Sequence, residues 1–275
     1  MVQQAATSGG LSQDEVETYQ REGYLVPRFR FSGADLSRLQ QLMANLVNDN
    51  PQLLDQPIPG PHIPGSGVQG LKVGPGWAHF AMHPAIVDMI EQIVGPDIIL
   101  WGTTMFYKRA LAGPETPWHR DGAYWPIKPL ATTSVWIAVT ESTRDNGCLR
   151  FIAGSHASRR LGRHVETERT GLGFHRSVPE QEIDPTRIRD IELEPGQMVI
   201  FDVYGIHGAS PNRGTKARAG YSLRFMPSTS HYEHEAAEDR DAPGNAHHTR
   251  PLILVRGVDR CGKNDFRRGH PAVAA

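Results

Sequence analysis

A histidine and an aspartate separated by one residue, His119 and Asp121, are the most chemically suggestive pair in the sequence. In an extended strand, side chains two residues apart lie on the same face, so this spacing predicts that the imidazole and the carboxylate converge while Arg120 points away. Together they can supply two ligands to one metal ion. A second histidine would complete a set of two imidazoles and one carboxylate, which suits a non-haem Fe(II) with open coordination positions.

His207 is the candidate for that second histidine, because it follows a strand-like segment well after His119. Arg218 comes eleven residues after His207, inside the next alternating strand pattern. A guanidinium stays protonated and binds a carboxylate through two parallel hydrogen bonds. If Arg218 is buried in a barrel, it needs an anion. The far end of a dicarboxylate co-substrate that chelates the metal would supply one.

Composition narrows the class of protein. The 275 residues contain 29 Lys and Arg against 30 Asp and Glu, and this net charge of −1 argues against a nucleic-acid-binding protein. No apolar run approaches the ~18 residues of a membrane-spanning helix, and residues 1–6 lack the apolar core of a signal peptide. Two cysteines do not make a disulfide framework. We therefore expect a cytoplasmic protein, monomeric or homodimeric, that acts without nucleic acid or membrane.

Helical signals are concentrated in the first hundred residues. Ser12 followed by Glu15 is a capping-box pattern, which predicts a short helix that ends near Gly23. Two further helices are predicted to start at Ser32 and at Pro84.

From residue 98 onward the pattern changes to that of short strands separated by turns. The predicted strands cover residues 98–108, 119–124, 132–140, 148–152, 197–203 and 217–226. Helices that precede the strands, rather than alternate with them, favour an α+β fold that is mainly β, built as a sandwich or double-sheet barrel.

We expect one domain over residues 1–275. Its predicted parts are a flexible tail (1–10), a mostly helical part (11–97), a β core (98–227) and a C-terminal extension (228–275). The polar or Pro- and Gly-rich segments 49–76 and 157–190 are candidates for a cover over the site.

The ordered set of motifs resembles the phytanoyl-CoA dioxygenase family of Fe(II)/2-oxoglutarate oxygenases. Residues 118–125 are similar to the metal-binding segment of that family, and residues 207–213 to its distal histidine motif. Between them, residues 146–149 and 152–156 are similar to its Asn-Gly-x-Leu and Gly-Ser-His segments. A His-x-Asp pair alone would be a weak signal, whereas the whole series in order is a strong one.

The resemblance implies a double-stranded β-helix (a cupin-like jelly roll) with N-terminal helices packed on it. It implies Fe(II) held by His119, Asp121 and His207, with 2-oxoglutarate and O2 as co-substrates and Arg218 on the 5-carboxylate of 2-oxoglutarate. Family halogenases have Ala or Gly at the carboxylate position. Because Asp121 keeps the carboxylate, the implied reaction is hydroxylation, or a related oxidation, of an unactivated C–H bond in a small molecule. Succinate and CO2 would be released.

Three further residues are implied at the co-substrate. Some family members bind the same carboxylate with a serine two residues after the distal histidine, where this chain has Ala209. The neighbouring Ser210 and the distant Thr133 are the hydroxyls that would take its place. Lys72 resembles a lysine that contacts the co-substrate in some relatives.

Other functions remain open on the residues alone. A cupin-like protein with zinc or nickel and hydrolase or isomerase activity could use the same two histidines and aspartate, but it would leave Arg218 without a role. A catalytically silent sensor on this fold is disfavoured by the complete ligand set. Tyr124 and Trp125, next to the metal-binding segment, are candidates for the wall of the substrate pocket and equally for core packing.

Overall fold

The computed structural model describes residues 9–54, 56–63, 71–166, 172–173, 175–235 and 247–270. Most of the predicted tail, residues 1–8, lies outside these ranges. So do residues 64–70 and 167–171 of the two candidate covers, and residues 236–246 and 271–275 of the C-terminal extension.

The α-helices of the described residues are α1 (Gln13–Glu22), α2 (Gly33–Asp49), α3 (Trp77–Ala81) and α4 (Pro84–Val94). The predicted capping box of α1 is confirmed. The Ser12 hydroxyl accepts from the Glu15 N–H, and the Glu15 carboxylate accepts from the Ser12 N–H. Gly23 ends α1 in the left-handed conformation that favours glycine, with φ +80°. No helix among the described residues is long and apolar enough to cross a membrane.

Antiparallel strands form the rest of the fold. They are β1 (Tyr24–Leu25), β2 (Ile58–Pro59), β3 (Ile98–Lys108), β4 (Thr116–His119), β5 (Ile127–Lys128), β6 (Thr133–Ala138), β7 (Leu149–Ile152), β8 (Val165–Glu166), β9 (Arg176–Ser177), β10 (Ile188–Ile191), β11 (Met198–Asp202), β12 (His207–Ala209), β13 (Arg218–Pro227), β14 (His231–Tyr232) and β15 (Ile253–Arg256). The larger sheet has the order β1-β11-β6-β13-β3-β15, with β2 also on β3, and the smaller has the order β10-β7-β12-β4.

The large sheet has an outer and an inner apolar face. On the outer face, Val135 and Leu223 pack against helix residues such as Leu39 and Ile86. On the inner face, Trp136 and its neighbours pack against residues of the small sheet such as Phe151. The predicted α+β fold, mainly β with N-terminal helices packed on a two-sheet core, is therefore confirmed.

The register of β13 directs a row of polar side chains into the barrel. Tyr221, Leu223 and Phe225 face the helices, so the alternating residues of β13 face inward. The inward positions of β13 and their direct partners on β3 are Arg218 with Lys108, Gly220 with Phe106, Ser222 with Thr104, and Arg224 with Gly102. The interior of this barrel is consequently cationic at two positions along one strand.

Gly220 is required by the residue that lies over it. A Cβ at this position would overlap the indole ring of Trp136. The same indole lies beneath the guanidinium of Arg218, whose Cζ is 5.0 Å from the ring centroid. A glycine therefore allows the indole to support the arginine inside the barrel.

We expect Gly220→Ala to lower the free energy of unfolding by about 1–3 kcal/mol, because the added methyl group overpacks the interior. Urea denaturation measures the change. Gly74→Ala is the control, since a Cβ at that position meets no atom within 4 Å. In a Trp136→Phe background, which removes the overlapping indole atoms, the cost of Gly220→Ala should fall. An equal cost in both backgrounds would contradict this explanation.

Candidate metal and co-substrate site

A strand pair places the two histidines at one end of the barrel. His119 is the last residue of β4 and His207 the first of β12, and the two are direct partners in antiparallel register. Their ring centroids are 4.2 Å apart, and each residue is buried with 7% of its surface exposed. Residues distant in sequence are thereby brought into contact by backbone pairing.

Asp121 reaches the same point by a route different from the predicted one. The predicted strand over residues 119–124 is wrong, because β4 ends at His119 and a 3-10 turn follows over Asp121–Ala123. Asp121 Oδ1 nevertheless lies 3.4 Å from His119 Nε2 and 3.8 Å from His207 Nε2. The predicted convergence holds, and the turn rather than strand alternation produces it.

Backbone carbonyls orient both imidazoles. His119 Nδ1–H donates to the Pro117 carbonyl at 2.8 Å, and His207 Nδ1–H donates to the Gly205 carbonyl at 3.1 Å. A neutral imidazole that donates from Nδ1 keeps its lone pair on Nε2. Both Nε2 atoms are therefore available as ligands on the side of Asp121, an arrangement typical of metal-binding histidines.

Burial and neighbouring charges keep the ligand atoms of His207 and Asp121 free of protons at neutral pH. Burial lowers the pKa of His207 to about 4, and the neighbouring His119 contributes in the same direction. Burial alone would raise the pKa of Asp121, but His207, His119 and Arg224 together lower it to about 2. Because a metal competes with protons for such groups, the site is prepared for a cation near pH 7.

The donor set fits a divalent metal. The three ligand atoms of His119, Asp121 and His207 lie within 4.8 Å of one another, and two imidazole nitrogens with one carboxylate oxygen suit Fe(II). A second cluster of the same composition, Asp35 with His79 and His83, is more exposed. This cluster is a poorer candidate.

The weakness of the second cluster lies in His83. Its Nδ1 accepts a hydrogen bond from the Ala85 N–H at the start of α4, at 3.3 Å. A neutral imidazole that accepts at Nδ1 carries its proton on Nε2, and a protonated nitrogen cannot bind a metal. His83 must therefore give up the hydrogen bond from Ala85 before it can act as a ligand.

Arg218 is buried in the same barrel with 3% of its surface exposed. Within the described residues no acidic side chain forms an ion pair with it, and its Nε–H has no hydrogen-bond acceptor. Burial lowers its pKa to about 10, so the guanidinium remains charged at neutral pH. A buried charge without a partner is costly. The arrangement therefore favours an anion that binds from outside the chain.

Two of the other predicted co-substrate residues lie away from Arg218. Lys72 is exposed, and its N–H donates to Asn50 Oδ1 at 2.8 Å, next to the end of α2. The Thr133 hydroxyl lies on the helix side of the large sheet, where it donates to the Phe201 carbonyl and pairs with the Tyr19 hydroxyl, both at 3.0 Å. The structure brings neither side chain to the metal cluster.

Ser210 lies just beyond β12, and its carbonyl accepts a hydrogen bond from Lys108 Nζ at 2.6 Å. Lys108 is buried and is the direct strand partner of Arg218. We did not predict Lys108 as a site residue from the sequence. The available signal was a lysine at the end of a long apolar strand, but its partner is defined only by the register of β3 against β13.

Aromatic side chains and a second arginine surround the metal end. The Tyr124 ring is 6.4 Å from that of His119, and the Trp125 ring is 4.5 Å from that of Trp101, edge to face. The Cζ of Arg224 lies 5.3 Å from the Trp125 centroid. The structure thus places Tyr124 beside His119, whereas Trp125 lies against Arg224 and within a buried aromatic group.

The phytanoyl-CoA dioxygenase (PhyH) family profile matches residues 6–220. The chain belongs to this family. It is 26% identical over 156 residues to the phytanoyl-CoA dioxygenase domain-containing protein 1 homolog of Dictyostelium discoideum, a match that covers 56% of each chain. It is 25% identical over 241 residues to the peroxisomal phytanoyl-CoA dioxygenase of Bos taurus, which covers 81% of this chain and 70% of that protein. The chain thus spans little more than half the length of the first of these relatives.

Solved structures show the same fold. The apo form of ThoJ, a non-haem monooxygenase, aligns with a TM-score of 0.68 at 21% identity, over 93% of this chain and 88% of that one. CytC3 with Fe(II) and α-ketoglutarate aligns with a TM-score of 0.63 at 23% identity, over 92% and 91%. The predicted family and fold are both confirmed, and the family is one of iron- and 2-oxoglutarate-dependent oxygenases.

We expect one tight site for Fe(II), or for Co(II) as an air-stable probe, in anaerobic equilibrium dialysis. His207→Ala should weaken this binding by ~10-fold or more, the scale seen even for loss of groups that only support a ligand. His79→Ala, in the second cluster, is the matched control and should leave the tight site intact. Loss of the tight site in His79→Ala with retention in His207→Ala would reverse the assignment.

Proposed function

We propose that this protein is an Fe(II)- and 2-oxoglutarate-dependent dioxygenase that hydroxylates, or otherwise oxidises, an unactivated C–H bond of a small molecule. The observation that carries the proposal is the buried Arg218, which has no acidic partner among the described residues and lies in the same barrel as the His-Asp-His cluster. A metal chelator with a distant second carboxylate satisfies both features at once. Membership of the family supports the same assignment.

The chain supplies the groups that would hold each component. His119 Nε2, Asp121 Oδ1 and His207 Nε2 would hold Fe(II), and Arg218 would hold the 5-carboxylate of 2-oxoglutarate. When bound, iron, 2-oxoglutarate and O2 supply the oxidation, in which 2-oxoglutarate becomes succinate and CO2 and the substrate gains an oxygen atom.

The protein itself positions the metal, the co-substrate and the substrate, and it shields them from water. The two carbonyl-anchored histidines fix the metal position, because the Nδ1–H hydrogen bonds direct both Nε2 atoms toward Asp121. Tyr124 lies beside His119, and we propose that it forms an apolar wall of the pocket together with the packed pair of Trp125 and Trp101. Such a wall keeps water away from the reacting centre and positions the substrate carbon.

A zinc or nickel enzyme with hydrolase or isomerase activity is less well supported. That chemistry needs the metal cluster alone and would leave Arg218 as an uncompensated buried cation. Halogenation is a separate alternative. The carboxylate of Asp121 favours oxygenation over halogenation, because the family's halogenases lack a carboxylate at this position.

Anaerobic addition of 2-oxoglutarate to the Fe(II)-loaded protein should produce a weak charge-transfer band in the visible spectrum. The band requires direct chelation of Fe(II) by the 2-oxo acid, so it reports binding at the metal rather than at a remote anion site. Zn(II)-loaded protein is the control and should show none. An Fe(II)-loaded protein without the band would favour the hydrolase or isomerase alternative.

Arg218→Met should weaken 2-oxoglutarate binding at least ~30-fold, since removing one partner of a buried charge pair costs about 2 kcal/mol or more. Fe(II) binding should change far less. Titration of the charge-transfer band measures the first quantity, and dialysis the second. Arg213→Met, an exposed arginine on the preceding loop, is the matched control. Equal losses of metal and 2-oxoglutarate binding would count against the role of Arg218.

A further inference from the structure

Lys108 is a second buried basic side chain beside Arg218. It ends β3, has 4% of its surface exposed, and is the direct antiparallel partner of Arg218. Direct partners on neighbouring strands project their side chains to the same side of the sheet. Lys108 and Arg218 therefore enter the barrel side by side from adjacent strands.

The amine of Lys108 is held at the end of the strand that carries His207. Its Nζ donates to the Ser210 carbonyl at 2.6 Å and lies 3.4 Å from the Ala209 carbonyl. An ammonium has three donors, so these two carbonyls leave one for another acceptor. Ala209 itself has only a methyl side chain, so this position offers no hydroxyl to a bound carboxylate.

The charged and titratable groups around Lys108 do not neutralise it. Arg218 faces it from β13, Glu115 from the segment before β4, and Cys148 from the segment before β7. Within the described residues none of them forms a salt bridge with Lys108. Burial is the main cause that lowers the pKa of Lys108 to about 6. Arg218 acts in the same direction, while Glu115 and Cys148 act in the opposite direction.

We propose that Lys108 binds the distal carboxylate of 2-oxoglutarate together with Arg218, so that the carboxylate lies between an ammonium and a guanidinium. This inference rests on the proposed function and deepens it. A carboxylate has two oxygens and about four acceptor positions, so it can accept from both groups at once. Charge-assisted bonds of this kind are roughly twice as strong as neutral ones.

The arrangement couples co-substrate binding to proton uptake. In the free protein Lys108 is largely neutral above about pH 6, but a bound carboxylate stabilises its ammonium form and raises its pKa. Above pH 6 the complex then holds more protons than the free protein. The dissociation constant of 2-oxoglutarate should therefore rise with pH, by up to tenfold per unit, until the pKa of Lys108 in the complex is reached.

The test is calorimetric titration of 2-oxoglutarate into Zn(II)-loaded protein between pH 6 and 9, in paired buffers of different ionisation enthalpy. Zn(II) removes turnover, so the readout is binding and proton count. We expect the wild-type protein to take up close to one proton per 2-oxoglutarate near pH 8. Lys108→Gln keeps an N–H donor, on a side chain one bond shorter, but cannot carry a charge. This variant should bind 2-oxoglutarate ~10-fold or more weakly at pH 6.5. Its dissociation constant should not vary with pH through Lys108, and the proton taken up by Lys108 should be lost.

A second ligand separates the two ends of the co-substrate. 2-Oxopentanoate has the same metal-chelating end and chain length as 2-oxoglutarate but no distal carboxylate. Its affinity should be the same in wild type and Lys108→Gln. The number of protons taken up with 2-oxopentanoate reports proton changes at the metal, and it is subtracted from the number measured with 2-oxoglutarate. A weaker affinity for both ligands in Lys108→Gln would indicate a purely structural role for Lys108 and overturn the inference.

The remaining outcomes distinguish the inference from the proposed function. If wild-type protein binds 2-oxoglutarate no better than 2-oxopentanoate, the proposed function fails. If binding of 2-oxoglutarate depends on Arg218 but shows neither proton uptake nor a pH slope, only the role of Lys108 is overturned. The wild-type titration decides this point even if Lys108→Gln is unstable in thermal unfolding.

Discussion

The direct pairing of His119 with His207 is the contact on which the site depends. One residue ends a strand and the other begins one, and the two are direct partners in antiparallel register. Because strand side chains alternate, a slip of one residue in this pairing would turn one imidazole away from the other. Each histidine is oriented in the same way, because its Nδ1–H donates to the carbonyl of the residue two positions earlier, Pro117 or Gly205.

Charge in the interior is the second constraint. Arg218, Lys108 and Arg224 are basic and project inward, whereas the nearby acidic groups are Asp121, which faces Arg224, and Glu115, which faces Lys108. A divalent metal would add two further positive charges. Anions that bind the folded state and not the unfolded state stabilise it by mass action, so a dianionic co-substrate contributes to stability as well as to chemistry. The low pKa of Lys108 reflects its burial and, to a smaller extent, the neighbouring charge of Arg218.

Local patterns were sufficient for the features that depend on local physics. The capping box at Ser12 and the helix stop at Gly23 follow from side-chain and backbone preferences within one turn. Strand β3 was predicted with the boundaries that the structure shows, because its apolar run is long and ends at a charged residue. Asp121 was placed correctly for the wrong reason, since a turn and a strand both bring residues two apart to one side here.

Positions that depend on the register or on the face of a strand were harder. Thr133 shares a face with Val135, which packs against the helices, whereas Trp136 lies on the inner face. The alternation of that strand already separated Thr133 from the interior, so this signal was present in the sequence. No comparable signal pairs Lys108 with Arg218, because their contact arises from the alignment of two strands distant in sequence.

The two inward-facing arginines of β13 have different contacts. Arg218 lies against Trp136 and beside Lys108, whereas Arg224, six residues further, donates to the Thr104 hydroxyl at 2.6 Å and lies against Trp125. At about 3.4 Å per residue, the Cα atoms of the two arginines are roughly 20 Å apart. A five-carbon dicarboxylate held by Arg218 is too short to reach along the strand to Arg224. If 2-oxoglutarate binds as proposed, Arg224 and the neighbouring Trp125 lie beyond its reach, in the part of the barrel that we propose for the substrate.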